Sequence, residues 1–155
     1  MKLYIKQKVF SWNDKFTVKD EAGNDRYYVE GEILSLGKKL HVYDAGRREV
    51  AFIRQKLISF MPRFHIEVGG RTLEIVQEWG FRPRFRFEGL PWRLSGDFMA
   101  YNYELSDGSQ CVMRLEKRWL SWGDTYEMDI AGQADETLCL CVALVVDCVL
   151  AMRQS

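Results

Sequence analysis

The chain carries no excess of either charge: lysine and arginine total 22, aspartate and glutamate total 22, and the formal net charge is zero. That balance excludes the broad basic field of a dedicated nucleic-acid binder, so no nucleic-acid partner is expected and any electrostatic role must come from a local patch. Cysteine is scarce and clustered. Cys111, Cys139, Cys141 and Cys148 fall in the last third, with neither the spacing of a disulfide framework nor that of a zinc site, and read as buried thiols of a reducing cytosol. His41 and His65 have no HExxH or His-x-His spacing, no serine sits in a nucleophile elbow, and the cysteines lack the electropositive setting that makes a thiolate reactive. No catalytic residue, resident metal or cofactor is therefore expected. Long hydrophobic runs are missing too. Lysines interrupt Met1 to Lys8 too often for a signal-peptide core, and the uninterrupted Leu138 to Val146 stretch falls far short of the roughly 20 residues that span a bilayer. These absences predict a cytoplasmic chain with no transmembrane span.

What is present is alternation. From the start to about residue 130 the dominant period is two, the mark of half-buried strands. Leu3, Ile5 and Val9 oppose Lys2, Lys6 and Lys8; Ala51, Ile53 and Leu57 oppose Arg54 and Lys56; Cys111, Met113 and Leu115 oppose Gln110, Arg114 and Glu116. Turn signals at Ala22-Gly23-Asn24-Asp25, Asp44-Ala45-Gly46, Gly69-Gly70 and Asp107-Gly108 divide the stretch into about twelve strands. The strands are expected at about 2–10, 25–35, 49–57, 81–87, 99–105 and 109–118, with five others between them and a last one at about 125–129. Lys56 to Val68 is echoed by Lys117 to Ile130, which suggests two related β-halves at about 1–70 and 71–133 within a single domain, 1–155.

The pattern changes at Ala134. Asp135 is placed to cap a helix over about 135–152, Glu136 follows in its first turn, and Leu138 to Met152 is apolar on every side except at Asp147. A helix apolar all round is buried in protein or in lipid, and this one is too short for lipid. A barrel of about eight strands fills with its own side chains, whereas one of eleven or twelve has room for a helix along its axis. The sequence therefore predicts an all-β fold with one helix: a closed barrel of about twelve strands around a buried C-terminal helix.

Several separated segments also resemble a known family. They are Ile5 to Ser11, Phe16 to Asn24, Ile53 to Leu57, Lys117-Arg118-Trp119 with Trp122 to Tyr126, and Val145-Val146-Asp147. In this order they resemble the LURP-one-related (LOR) family with its YxjI-like bacterial members, over essentially the whole chain. The resemblance implies the tubby-like fold, a twelve-stranded barrel around a hydrophobic helix. It also implies distant kinship with tubby C-terminal domains, which bind phosphoinositide headgroups, and with phospholipid scramblases. It implies no established activity for the bacterial members.

Two features stand out as candidate sites. In Phe81-Arg82-Pro83-Arg84-Phe85-Arg86-Phe87, strand alternation places Arg82, Arg84 and Arg86 on one face and three phenylalanines on the other. Such a row suits the bidentate binding of phosphate or lipid headgroups, although a solvated strand face whose arginines pair with carboxylates is the reading the sequence favours. Lys2, Lys6 and Lys8 form a second basic row, which matters only if the fold sets it beside the first. The second feature is Asp147, whose carboxylate faces apolar neighbours and calls for a structural hydrogen bond. Kinship with scramblases implies a calcium role for Asp124, Asp129 and Asp147, but the EF-hand spacing and its central glycine are missing. The five tryptophans (Trp12, Trp79, Trp92, Trp119, Trp122) read as core or rim packing. The function these residues support is a non-catalytic binding or scaffold module whose partner is an anionic phospholipid surface or a protein. A scramblase-like activity and an enzyme with a cryptic site are the alternatives.

Overall fold

The computed structural model describes residues 1–6, 15–32, 35–78, 80–120 and 123–154. These form β1 (Lys2–Lys6), β2 (Lys15–Asp20), β3 (Asp25–Gly31), β4 (Lys39–Asp44), β5 (Glu49–Gln55), β6 (Arg63–Val68), β7 (Arg71–Glu78), β8 (Arg84–Glu88), β9 (Arg93–Asp97), β10 (Asn102–Ser106), β11 (Cys111–Leu120), β12 (Gly123–Ile130) and α1 (Glu136–Gln154). Lys8, Trp12, Trp79, Trp122 and the side chains of Trp119 and Asp124 lie outside the described residues.

All twelve strands join one antiparallel sheet in the order β8-β7-β6-β5-β4-β3-β2-β1-β12-β11-β10-β9. Consecutive strands pair from β1 to β8 and from β9 to β12, and the two ribbons are joined where Lys2–Lys6 runs against Thr125–Asp129. β8 and β9 abut without a ladder, so the barrel is nearly closed. Period two decides which side chains enter: Leu40 and Val42 on β4, Ala51 and Ile53 on β5, and Phe64 and Ile66 on β6 are all buried, while their neighbours face outward.

Inside lies α1. Every residue from Leu138 to Leu150 is buried, and the helix touches β5, β6, β7 and β11. Asp135 caps it as the sequence predicts: its Oδ1 accepts the Leu138 N–H at 3.1 Å and its carbonyl accepts the Cys139 N–H at 3.0 Å. At this end, the base of the barrel, the Arg26 guanidinium grips Glu136 through Nε at 2.9 Å and Nη2 at 3.1 Å, and Arg71 meets Asp135 at 2.8 Å. At the opposite end, the rim, Gln55 Nε2 donates to Met152 Sδ at 3.7 Å and Arg153 Nη2 donates to the Phe81 carbonyl at 3.1 Å. No helix among the described residues is long and apolar enough to cross a membrane.

Two departures from strict alternation have local causes. A bulge between Leu105 and Ser106 shifts the β10–β11 register, so that Val112 and Met113 are both buried and Cys111 is exposed rather than buried as its spacing predicts. At the β9–β10 turn, the expected strand 99–105 starts only at Asn102, because Ala100 N–H is held by Asp97 Oδ1 at 3.1 Å and Tyr101 adopts a φ of 53°. Gly96 lies across from Tyr103 with a φ of 130°, and a Cβ there would stand 2.7 Å from Asn102 O and Tyr103 Cα. Gly96→Ala is expected to cost about 1–3 kcal/mol in chemical denaturation, since both the backbone conformation and the close approach reject a side chain. An unchanged denaturation midpoint would show that β9 can move aside.

Candidate functional site

The arginine row of the β8 segment forms only in part. Pro83 cannot donate to a ladder, and β8 starts at Arg84, so Arg82 and Phe81 stand in the bend before it. Phe85 and Phe87 point inward, where Phe85 meets Phe98 edge-on at 5.2 Å and Phe87 meets Trp92 at 6.4 Å. Phe81 does not join them. It is fully exposed, against the expectation of three inward phenylalanines, because the alternation begins only after the proline.

The three guanidinium groups also differ in their partners. Arg86 is held by Glu88 at 2.6 Å; Glu88 is shared with Arg63 at 2.7 Å, and Arg63 and Lys56 both contact Glu74. Burial alone would raise the Glu74 carboxyl, but hydrogen bonds from Lys56 and Arg63 outweigh it and hold its pKa at about 2. Arg86 is thus one end of a structural ion-pair chain on the outer sheet. Arg82 and Arg84 belong to no ion pair among the described residues; both are exposed, and Glu78 faces Arg84 across the ladder without closing on it. The β1 lysines lie on the far side of the sheet order from β8, and Lys2 is paired with Glu127 at 3.7 Å, so the two basic rows do not meet.

Arg82 and Arg84 stand at the rim, among loops that are tied to one another and to the end of α1. The β3–β4 and β5–β6 loops are linked by Gln55 N–H to Lys38 O at 2.8 Å and Lys38 N–H to Gln55 Oε1 at 3.2 Å. The β5–β6 loop is linked to β7 by Gln77 N–H to Pro62 O at 2.9 Å, and Arg153 links the helix to the β7–β8 loop. These loops present Leu36 (80% exposed), Leu57 (60%) and Ile58 (99%), together with Phe81 and Met99. Among the exposed large apolar side chains of the described residues, only Met1 stands at the base. Sequence reading missed this cluster by extending β5 through Leu57; Pro62, just ahead of β6, is the signal that the segment between is a loop.

The sequence signature of LURP-one-related proteins matches residues 1–147. The chain belongs to the LURP-one-related family. The uncharacterised protein YxjI of Bacillus subtilis (strain 168) is 38% identical over 152 residues, which is 97% of this chain and 94% of YxjI. The X-ray structure of a protein from Arabidopsis thaliana superposes with a TM-score of 0.70, covering 96% of this chain and 90% of its own at 15% identity, a likeness of fold alone.

The remaining candidates of this LURP-one-related barrel are kept apart by its wall. Asp129 is exposed on the outside of β12, opposite Lys2 and Arg114, while Asp147 is buried within, so these two calcium candidates cannot share an ion. No group of three metal-ligating side chains is present among the described residues. Asp147 also departs from its expected hydrogen bond: Oδ2 has no partner among the described residues, and burial pushes the carboxyl pKa up to about 7. An open groove of about 960 Å³ near the base is lined by His41, Glu49, Phe52, Glu67, Arg71 and Asp135. Most of its charged groups are paired, with His41 Nδ1 on Glu49 at 2.6 Å, His41 Nε2 on Glu32 at 2.8 Å and Arg71 on Asp135, which leaves His41 clamped between two carboxylates.

Proposed function

We propose that this LURP-one-related chain is a non-catalytic, cytoplasmic binding module that docks peripherally on anionic lipid headgroups through the rim of its barrel. What supports the reading is one observation: Arg82 and Arg84 project from the same edge with no carboxylate bound among the described residues, whereas Arg86, two residues on, is paired with Glu88. A guanidinium offers paired N–H donors to a phosphate oxygen pair. With zero net charge there is no long-range attraction, so binding has to come from such a local cluster.

Co-sedimentation with vesicles of mixed phosphatidylserine and phosphatidylcholine tests this. Near an anionic surface each free cation contributes about 1 kcal/mol. Replacing Arg82, Arg84 and Arg86 together by glutamine is therefore expected to weaken binding by about 2 kcal/mol, roughly thirtyfold, almost all of it from the first two. Arg86→Gln alone is expected to leave binding near the parent level, and high salt to act on the parent as the triple variant does. If the parent stays in the supernatant at low salt, or the triple variant pellets like the parent, the headgroup reading fails.

A further inference from the structure

We infer that the rim not only touches headgroups but inserts: the tip of the β5–β6 loop, Leu57 and Ile58, with Leu36 and Phe81 beside it, enters the acyl boundary of an anionic bilayer. The inference rests on the headgroup reading above and adds a depth to it.

Four observations converge on it. Leu36, Leu57, Ile58 and Phe81 sit on three separate hairpin ends, all at the rim. The ends are held as one platform: Leu57 Cδ2 lies 2.7 Å from where a Gly37 Cβ would be, and the Lys38–Gln55 and Arg153–Phe81 hydrogen bonds join the three loops and the helix end. A cation lies beside two of the apolar tips along the chain, with Lys38 two residues after Leu36 and Arg82 directly after Phe81, the order that lets a basic head lie among phosphates while the apolar group goes deeper; Lys56, before Leu57, is held by Glu74. Of the carboxylates near the rim, Glu32 is taken by His41 at 2.8 Å and Glu74 by Lys56 and Arg63, while Glu78 faces Arg84 without closing on it, so that Lys38, Arg82 and Arg84 belong to no ion pair among the described residues.

The shape selects the occupant. A protein partner would need a surface shaped to match these separate loop ends, whereas a fluid interface envelops them without a matching shape. The base offers the internal comparison. Its turns at Ala22-Gly23-Asn24, Ala45-Gly46 and Gly69-Gly70 carry no large apolar side chain, and Leu90 and Trp92, in the β8–β9 turn, are packed against the core instead of projecting. The partial negative charge at the end of α1 opposes an anionic surface, and Arg153 in the last turn offsets it.

The test places an environment-sensitive fluorophore on Ser59→Cys, at the tip, and on Ala45→Cys, at the base, each in a Cys111→Ser background, since Cys111 is the exposed thiol among the four. On adding vesicles of equal parts phosphatidylserine and phosphatidylcholine, the probe at 59 is expected to shift to the blue and to be quenched by lipids brominated on their chains, and the probe at 45 to do neither. Leu57→Asp with Ile58→Asp is expected to weaken co-sedimentation by about tenfold or more with little change in melting temperature, because Ile58 lies wholly in solvent and Leu57, which rests against the Gly37 loop, is more than half exposed. Vesicle binding with the probe at 59 still in water, or with the double variant binding like the parent, overturns insertion and leaves the headgroup reading standing. Absence of any vesicle binding overturns both. A dimer in lipid-free solution that the double variant dissolves would assign the tips to a second copy of the chain, and overturns the inference as well.

Discussion

A chain ended at Ala134 is expected not to fold at all. The segment removed is no tail: every residue from Leu138 to Leu150 is buried, and the inward faces of β5, β6, β7 and β11 close on it. Burying one aliphatic side chain contributes about 1.5–3 kcal/mol. The four leucines and four valines of the helix alone, at about 12–24 kcal/mol together, therefore match or exceed the roughly 5–15 kcal/mol that separates a normal domain from its unfolded state. Their removal would also expose Phe64, Ile66, Ile75 and Met113 to a water-filled lumen. The expected product is an aggregating chain without a cooperative transition. A truncated chain that stays in solution and melts cooperatively would show that the sheet can collapse on itself, and that the helix is dispensable to it.

The second large effect concerns a group inside that helix. Asp147→Asn is expected to stabilise the protein at neutral and alkaline pH and to lose that advantage in acid. Burial raises the folded-state carboxyl to about 7 from an ordinary value of 3.8. Between these limits the folded chain keeps a proton that the unfolded chain has released, so stability falls as pH rises through the window. Below about pH 4 both states are protonated and the ionisation cost is absent; above about pH 7 it is complete. A gap of about three pH units at about 1.4 kcal/mol each makes it about 4 kcal/mol. Asparagine keeps the shape and the polarity but cannot ionise. The difference in unfolding free energy between variant and parent, measured in urea, should grow by that amount from pH 4 to pH 8. A difference that is flat with pH would mean that Asp147 has a cationic or donating partner outside the described residues.

The parts of the fold that the sequence made legible are those that local rules control. Alternation at Leu40-His41-Val42-Tyr43 needs no knowledge of distant residues, nor does the cap at Asp135 or the all-round apolarity of Leu138 to Leu150. Hence the twelve strands and the helix inside them follow from pattern alone. What escaped was non-local. The phase of Cys111 is set by a bulge opposite Leu105, on another strand. Glu88, which holds Arg86 of its own strand, is shared with Arg63 from two strands away, and the ion-pair chain that runs on to Glu74 is invisible in the β8 segment alone. Leu57 and Ile58 have the composition of a strand, and only the position of Pro62 at the mouth of β6 marks them as a loop. The rim is therefore a tertiary property: its apolar tips come from loops scattered between residues 36 and 99, and nothing in any one of them announces the others.

The pairing of β1 with β12 has a consequence for how the chain is made. Among the described residues β1 shares a ladder with β2 at Leu3 and Tyr4 alone, but with β12 along its whole length, across a separation of more than a hundred residues. During synthesis the hairpins of β2 to β8 can form as they emerge, because their partners are adjacent in sequence, whereas β1 has to wait until β12 has been translated. For most of that interval the inner face of the first ribbon has neither its closing strand nor its helix. The nascent barrel is thus an open, apolar-faced sheet with an unpaired edge, and the time that ribosome and chaperones must shield it is set by the position of β12 in the chain.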